Sequence, residues 1–212
     1  MTLRTPLAAA ALLLAATAQA QTRQWPFEVR LDDTPIGQHR FELTGSPADG
    51  TLKSEAAFTV RLLGIPVYRY RHSATERWRD GCLDAMQAGT DDNGDKSQVD
   101  ARKDGGALRI DGGSGGKAES ATGCVMSFAY WNPAIRQQPR LLNAQTGALE
   151  PVKIERAGTG TVEVRGQAVP AVRWRISGPK QPIELWESAA DGAWIGLDST
   201  VSGGKRLSYR LK

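Results

Sequence analysis

The chain has 212 residues, 24% of them charged, and its 27 Lys and Arg against 23 Asp and Glu give a formal net charge of +4. That length suits one domain with a substantial core. The basic residues are interleaved with others, as at Arg69, Arg71, Arg77 and Arg79 among Tyr, His, Glu and Trp. This leaves no basic stripe of the kind that follows phosphates, so nucleic acid is not an expected partner.

The first element is a targeting segment. Arg4 supplies a positive n-region, Leu7 to Ala16 an apolar h-region, and Ala18-Gln19-Ala20 a small-x-small cleavage site. Residues 1–20 therefore read as a cleavable secretory signal peptide, and 21–212 as a single domain working in the periplasm. The apolar run is too short to cross a bilayer as a helix, and no later stretch approaches the required ~20 residues. No transmembrane span is expected. Gln21 stands where a lipoprotein would need cysteine.

From Trp25 onward the dominant period is two, the mark of half-buried strands. Trp25, Phe27, Val29 and Leu31 alternate with Pro26, Glu28, Arg30 and Asp32. Asp32 to Pro35 reads as a turn, and a second strand carries Phe41 and Leu43. Leu52, Ser54, Ala56, Phe58 and Val60 alternate until Gly64-Ile65-Pro66. The longest alternation follows, with Tyr68, Tyr70, His72, Ala74, Glu76 and Trp78 on one face and Val67, Arg69, Arg71, Ser73, Thr75 and Arg77 on the other. Asn93-Gly94 marks a tight hairpin within the acidic turn Asp91 to Asp95. Short strands follow at Val99–Ala101 and Leu108–Ile110, then the glycine-rich stretch Gly112 to Gly116, read as a flexible surface loop.

Cys82 and Cys124 are the only cysteines, and in a secreted protein such a pair is expected as a disulfide. Closing a loop of this size stabilises by about 4 kcal/mol in the chain-entropy picture. Between Cys124 and Gly147 the alternation lapses. Met126, Phe128, Ala129, Tyr130 and Trp131 form an apolar cluster, Asn132-Pro133 can start a short helix or turn, and Pro139 prevents a long one. This segment reads as a cover over one face or end of the sheet. A hairpin around Arg165-Gly166-Gln167 and a closing three-stranded meander from Ile183 to Leu211 complete the chain. The fold class is all-β: an antiparallel meander forming a curved, partly open β-barrel with a short helical or loop cover segment.

The runs Tyr68-Arg69-Tyr70-Arg71-His72, Glu76-Arg77-Trp78, Gly81-Cys82-Leu83, Thr90 to Gly94, Cys124 to Pro133, Leu141 to Gly147 and Leu207 to Leu211 resemble a family of secreted bacterial proteins, DUF6134. The resemblance covers nearly all of the chain after Ala20 and implies no established activity. More loosely, the layout is similar to the curved half-barrels of periplasmic lipoprotein carriers and DUF3108-type proteins, which speaks to fold and not to function. Glu187 stands where the resemblance implies an aromatic after Leu185-Trp186.

Catalytic patterns are sparse. His39 and His72 are the only histidines, and neither a Gly-x-Ser-x-Gly elbow nor a His-Glu-x-x-His motif is present. His72 and Glu76 share a strand face but lie about 13 Å apart at strand rise, so a site built on His72 needs a carboxylate from a neighbouring strand. Ser127 has no evident base. The Asp91–Asp95 turn lacks the later glutamate of a calcium loop and reads as a polar hairpin tip. No metal and no cofactor is expected.

The aromatic inventory remains. Tyr68, Tyr70 and Trp78, with His72 between them and Phe128, Tyr130 and Trp131 in the cover, either fill the core or line a concave ligand pocket. The leading expectation is a non-enzymatic periplasmic protein binding a hydrophobic small molecule or lipid, such as an acyl chain. One alternative is an enzyme acting on an envelope lipid or glycan through His72, Glu76 and Asp residues from adjacent strands. The other is a structural or assembly partner of an envelope protein complex, which should show an exposed apolar patch.

Overall fold

In a computed structural model of the protein, which describes residues 21–113 and 118–212, thirteen antiparallel strands form one sheet. The signal segment 1–20 and the Ser114–Gly116 part of the glycine-rich stretch lie outside the described residues. The strands before the cover are β1 (Thr22–Leu31), β2 (Thr34–Gly45), β3 (Gly50–Leu62), β4 (Ile65–Arg79), β5 (Cys82–Asp92), β6 (Asp95–Asp104), β7 (Ala107–Gly112) and β8 (Glu119–Thr122). The cover holds a two-stranded ribbon of β9 (Arg140–Leu142) and β10 (Leu149–Pro151). After it come β11 (Lys153–Val164), β12 (Gln167–Ser177), β13 (Ile183–Ser188), β14 (Trp194–Thr200) and β15 (Arg206–Leu211).

Within β1–β8 and within β11–β15 each strand pairs with its sequence neighbours, and β15 pairs with β1, so the first and last strands lie side by side inside the sheet. Strands β8 and β11 are the free edges. The sheet therefore curls without closing, giving a first wing (β1–β8) and a second wing (β11–β15). The alternation read from sequence decides which face is buried: on β4, Tyr70, His72, Ala74, Glu76 and Trp78 are buried and the residues between them exposed. Hairpin turns at Asp80-Gly81, Asn93-Gly94 and Arg165-Gly166 put the first residue near φ +50° ahead of a positive-φ glycine, the geometry that matches strand twist.

The segment from Cys124 to Val152 bridges the two edges across the inner face. Its Val125, Met126, Ala129, Trp131, Ile135, Leu141 and Leu142 are buried in one cluster with Phe27, Leu43, Trp78, Leu83 and Leu108 of the first wing and Ile176, Leu185 and Trp194 of the second. It is a plug as much as a cover. The Cys82–Cys124 disulfide, with Cα atoms 5.2 Å apart, fixes its start, and the Leu83 amide donates to the Val125 carbonyl at 2.9 Å. A 3-10 turn, Pro133–Gln137, is capped by Asn132, whose side chain accepts from the Ala134 amide. Its Arg136 pairs with Glu187 of β13. The far loop packs backbone to backbone on the end of β7: a Cβ at Gly113 would fall 1.9 Å from the Thr146 carbonyl oxygen, so only glycine fits there.

A bulge between Arg156 and Gly158 bends β11. Before it, Ile154 packs on the main core; beyond it, Val162 joins Ala171 and Ile195 in a separate small core with Trp186 and Leu211. The Arg165 amide donates to the Leu211 carbonyl at 3.3 Å, so the second wing rolls onto its own back.

Candidate functional site

Strand register stacks the first wing's inner face in rungs. His39, Ala56, His72 and Thr90 form one rung, and Phe41, Ser54, Ala74 and Ala88 the next toward the disulfide end. Leu43, Leu52, Glu76 and Met86 follow. The small residues Ser54 and Ala74 leave room that larger side chains would fill. Between these rungs and the plug lies a cavity of about 190 Å³. Its polar lining is His39, Ser54, His72, Glu76 and Ser127; its apolar lining is Phe41, Leu52, Phe128, Tyr130 and Trp131. Asn143, Gln145 and Glu150 of the plug and Pro179 and Ile183 of the second wing complete the wall.

Most polar groups here satisfy one another. Ser127 Oγ donates to Glu76 Oε2 at 3.0 Å, and Trp78 Nε1 donates to the same oxygen at 3.1 Å. His72 Nδ1 lies 2.9 Å from Thr90 Oγ1, and His39 Nε2 lies 2.7 Å from Ser54 Oγ. Asn143 Nδ2 donates to Glu150 Oε1 at 2.6 Å. Burial pushes the Glu76 carboxyl up to about 7 despite its two donors. Burial also holds His39 down to about 3, helped by the neighbouring His72, and His72 down to about 4. Near neutral pH both imidazoles are uncharged and Glu76 is poised between its two forms.

One donor is unused. The Trp131 indole nitrogen is buried without a hydrogen-bond partner, although the residue lines the cavity. Unpaired buried donors are rare because each carries a desolvation cost of about 1–3 kcal/mol.

Of the residues singled out in the sequence, His72, Phe128, Tyr130 and Trp131 line this cavity. Trp78 packs edge-on beneath Trp131, with ring centroids 5.3 Å apart. Tyr70 lies one rung above the histidines, stacked on Phe58 at 5.2 Å, and Tyr68 stands at the rim, its hydroxyl donating to Asp92 Oδ1 at 2.6 Å. His39, Ser54, Glu76 and Ser127 were not read as lining residues. Ser127 meets Glu76 across 51 positions of sequence, a contact set by the path of the plug and carried by no local pattern. Glu187, which departs from the expected aromatic, accepts from Trp174 Nε1 at 3.0 Å and pairs with Arg136, so it anchors the plug.

The chemistry on offer is hydrogen bonding by hydroxyls, two uncharged imidazoles and the buried Glu76 carboxyl. Ser127 donates to the Glu76 carboxyl, and the hydrogen bonds of both imidazoles are with hydroxyls: Ser54 and Tyr209 at His39, and Thr90 at His72. Among the described residues no group of three or more potential metal ligands occurs, and no helix is long and apolar enough to cross a membrane. A larger hollow, about 640 Å³, lies on the outer face over β5, but its walls include the exposed charged chains of Arg77, Asp104 and Arg109, a solvated relief of the twisted sheet.

A single curled antiparallel sheet wrapped around a plugging segment defines a β-barrel-like protein with a small mixed-polarity interior space. Residues 27–212 match the family model for the domain of unknown function DUF6134, and the chain belongs to that family. Among solved structures it is similar to the β-barrel-like protein of domain of unknown function DUF1849 from Brucella abortus, with a TM-score of 0.61 and 11% identity over 93% of this chain and 98% of that one. At that identity the likeness is one of fold. No curated protein matches the sequence.

Proposed function

We propose that the protein is a non-enzymatic periplasmic binder of a hydrophobic ligand, an acyl chain carrying a polar acceptor at one end. The observation that carries this reading is the Trp131 N–H, left without a partner beside a cavity that the protein's own side chains do not fill. A carbonyl or hydroxyl oxygen of a ligand would accept from it, with Phe41, Leu52 and Phe128 around the chain. The cavity is smaller than the ~300–1,000 Å³ of common ligand sites, which suits a short acyl chain or the end of a longer one. The signal-like segment at residues 1–20 and the Cys82–Cys124 disulfide support an oxidising compartment.

Native mass spectrometry with organic extraction, on protein purified from the periplasm without detergent, tests the reading. A stoichiometric apolar adduct is expected, and Trp131→Phe should weaken its retention about tenfold by removing the donor. A clean unliganded mass from freshly isolated protein overturns the reading.

A further inference from the structure

Among the described residues, the β3–β4 hairpin carries the large apolar side chains that stand exposed: Leu63 is 96% exposed, Ile65 66%, Leu62 65% and Val67 51%. Register explains why it stands clear. β2 follows β3 only as far as Phe58, opposite Gly37, and β5 follows β4 only as far as Tyr70, opposite Asp92. Past those rungs and the Arg69–Asn93 bonds, the ribbon pairs only with itself. It projects by roughly four residues, on the order of 14 Å at strand rise.

The turn at the tip differs from its sisters. Where Asp80, Asn93 and Arg165 occupy the left-handed position ahead of glycine, this hairpin has Leu63, at φ 49°. That backbone region favours Asn and Asp, whose short polar side chains bond locally. Leucine there bears backbone strain and exposure to water together, and the side-chain bond described at this turn goes to its backbone, Arg61 Nη1 donating to the Gly64 carbonyl at 3.0 Å. From Leu62 to Val67 there is no polar side chain, and just behind stand Tyr68 and the exposed arginines Arg61, Arg69 and Arg71.

We propose that this hairpin tip is a docking finger for an anionic lipid bilayer. Leu62, Leu63 and Ile65 enter the boundary between headgroups and acyl chains, which takes apolar groups to a depth of ~5–10 Å. Tyr68 lies at the level aromatic residues favour; Arg69 and Arg71 meet lipid phosphates as forked donors, and Arg61, whose Nη1 bonds the Gly64 carbonyl, adds its charge beside them. The ribbon's outer edges keep unpaired backbone groups, so it stops at the interface and does not span. Asp91, Asp92 and Asp95 sit on the shorter neighbouring turn and limit how closely the rest of the molecule approaches a negative surface. A second copy of this chain is a poorer occupant: these four side chains are the large apolar groups exposed among the described residues, so the partner would offer only its own tip, ringed by its own arginines.

The docking is independent of whether the cavity holds a ligand, and purified protein with an empty cavity serves to test it. Co-sedimentation with phosphatidylcholine vesicles, with and without phosphatidylglycerol, should show binding that rises with the anionic lipid and falls with salt. Leu62→Ser with Leu63→Asn keeps the charge and puts a favoured residue in the turn, so the fold is retained, as thermal unfolding will verify. Partition should drop at least roughly tenfold. Arg69→Gln should lower the preference for phosphatidylglycerol about fivefold. Absence of binding by the unaltered protein, or equal binding by the Leu62→Ser, Leu63→Asn variant, overturns the proposal. Loss of self-association in that variant without change in vesicle binding overturns it in favour of a protein contact.

Discussion

Among the described residues, three buried carboxyl groups accept a hydrogen bond from a tryptophan, yet the two wings of the sheet give them different company. In the second wing, Asp198 takes Trp186 Nε1 at 2.8 Å and also meets Arg206 at 3.1 Å and Arg210 at 2.8 Å. Glu187 takes Trp174 Nε1 and the Arg136 guanidinium, which itself stacks 4.0 Å over the Trp174 ring. In the first wing, Glu76 has only the Trp78 indole and the Ser127 hydroxyl. The arginine-matched pair at Glu187 fastens one element to another, and the matched cluster at Asp198 ties β13, β14 and β15 together. The unmatched one borders the cavity, and without a counter-charge burial favours its neutral, proton-bearing form.

The largest test of this contrast is to remove a cation. Arg136→Met leaves Glu187 buried with its indole alone and frees the 3-10 turn; stability measured by urea unfolding should fall by about 3–5 kcal/mol. A loss well under that would mean the arginine is incidental. Glu76→Gln should act in the opposite direction. Because the folded pKa of Glu76, about 7, lies above its ordinary 4.5, the native state holds a proton that the unfolded chain has released. The stability this contributes is complete below pH 4.5 and disappears as pH rises through 7. The variant should match the unaltered protein in acid and exceed it above pH 7, by up to about 3 kcal/mol from the size of the shift. Equal pH profiles would place Glu76 in contact with water or a cation. The histidines run the other way: with folded pKa values below 6.5, they favour the fold above that pH and weaken it as pH drops toward 4.

Smallest is Ser127→Ala. It deletes one donor to Glu76, at a cost of about 1 kcal/mol, and should raise the pH at which Glu76 ionises, read as an upward shift of the step in the urea midpoint. No shift would mean that a water molecule takes the serine's place.

Much of the framework was legible because period-two alternation reports burial directly. It marked the inner face of β4 residue by residue, and the Asn93-Gly94 turn and the cysteine pair fixed two further constraints. Shorter elements were not legible. β8, β9 and β10 are three or four residues long, too few to show a period, and the first four residues of β11 precede a bulge that resets it. The cavity was half legible: Phe128, Tyr130 and Trp131 stood out as a cluster, but a shared face does not say at which rung a side chain sits. Tyr68, Tyr70 and Trp78 therefore fell above and below the space, while His39 and Ser54 entered it from neighbouring strands. The exposed tip was missed because Gly64-Ile65-Pro66 was read only as a break, and exposure depends on where the flanking strands stop.

The pairing of β1 with β15 sets an order of events in folding. A chain delivered from its N-terminus presents β1 with only one of its two neighbours available, and the other arrives with the final residues. Each wing can zip up through local hairpins, but their union waits on the most distant contact in the sequence, the kind that makes folding slow. During that wait the inner face of β1, with Phe27 and Val29, lies open to water and to other unfinished chains.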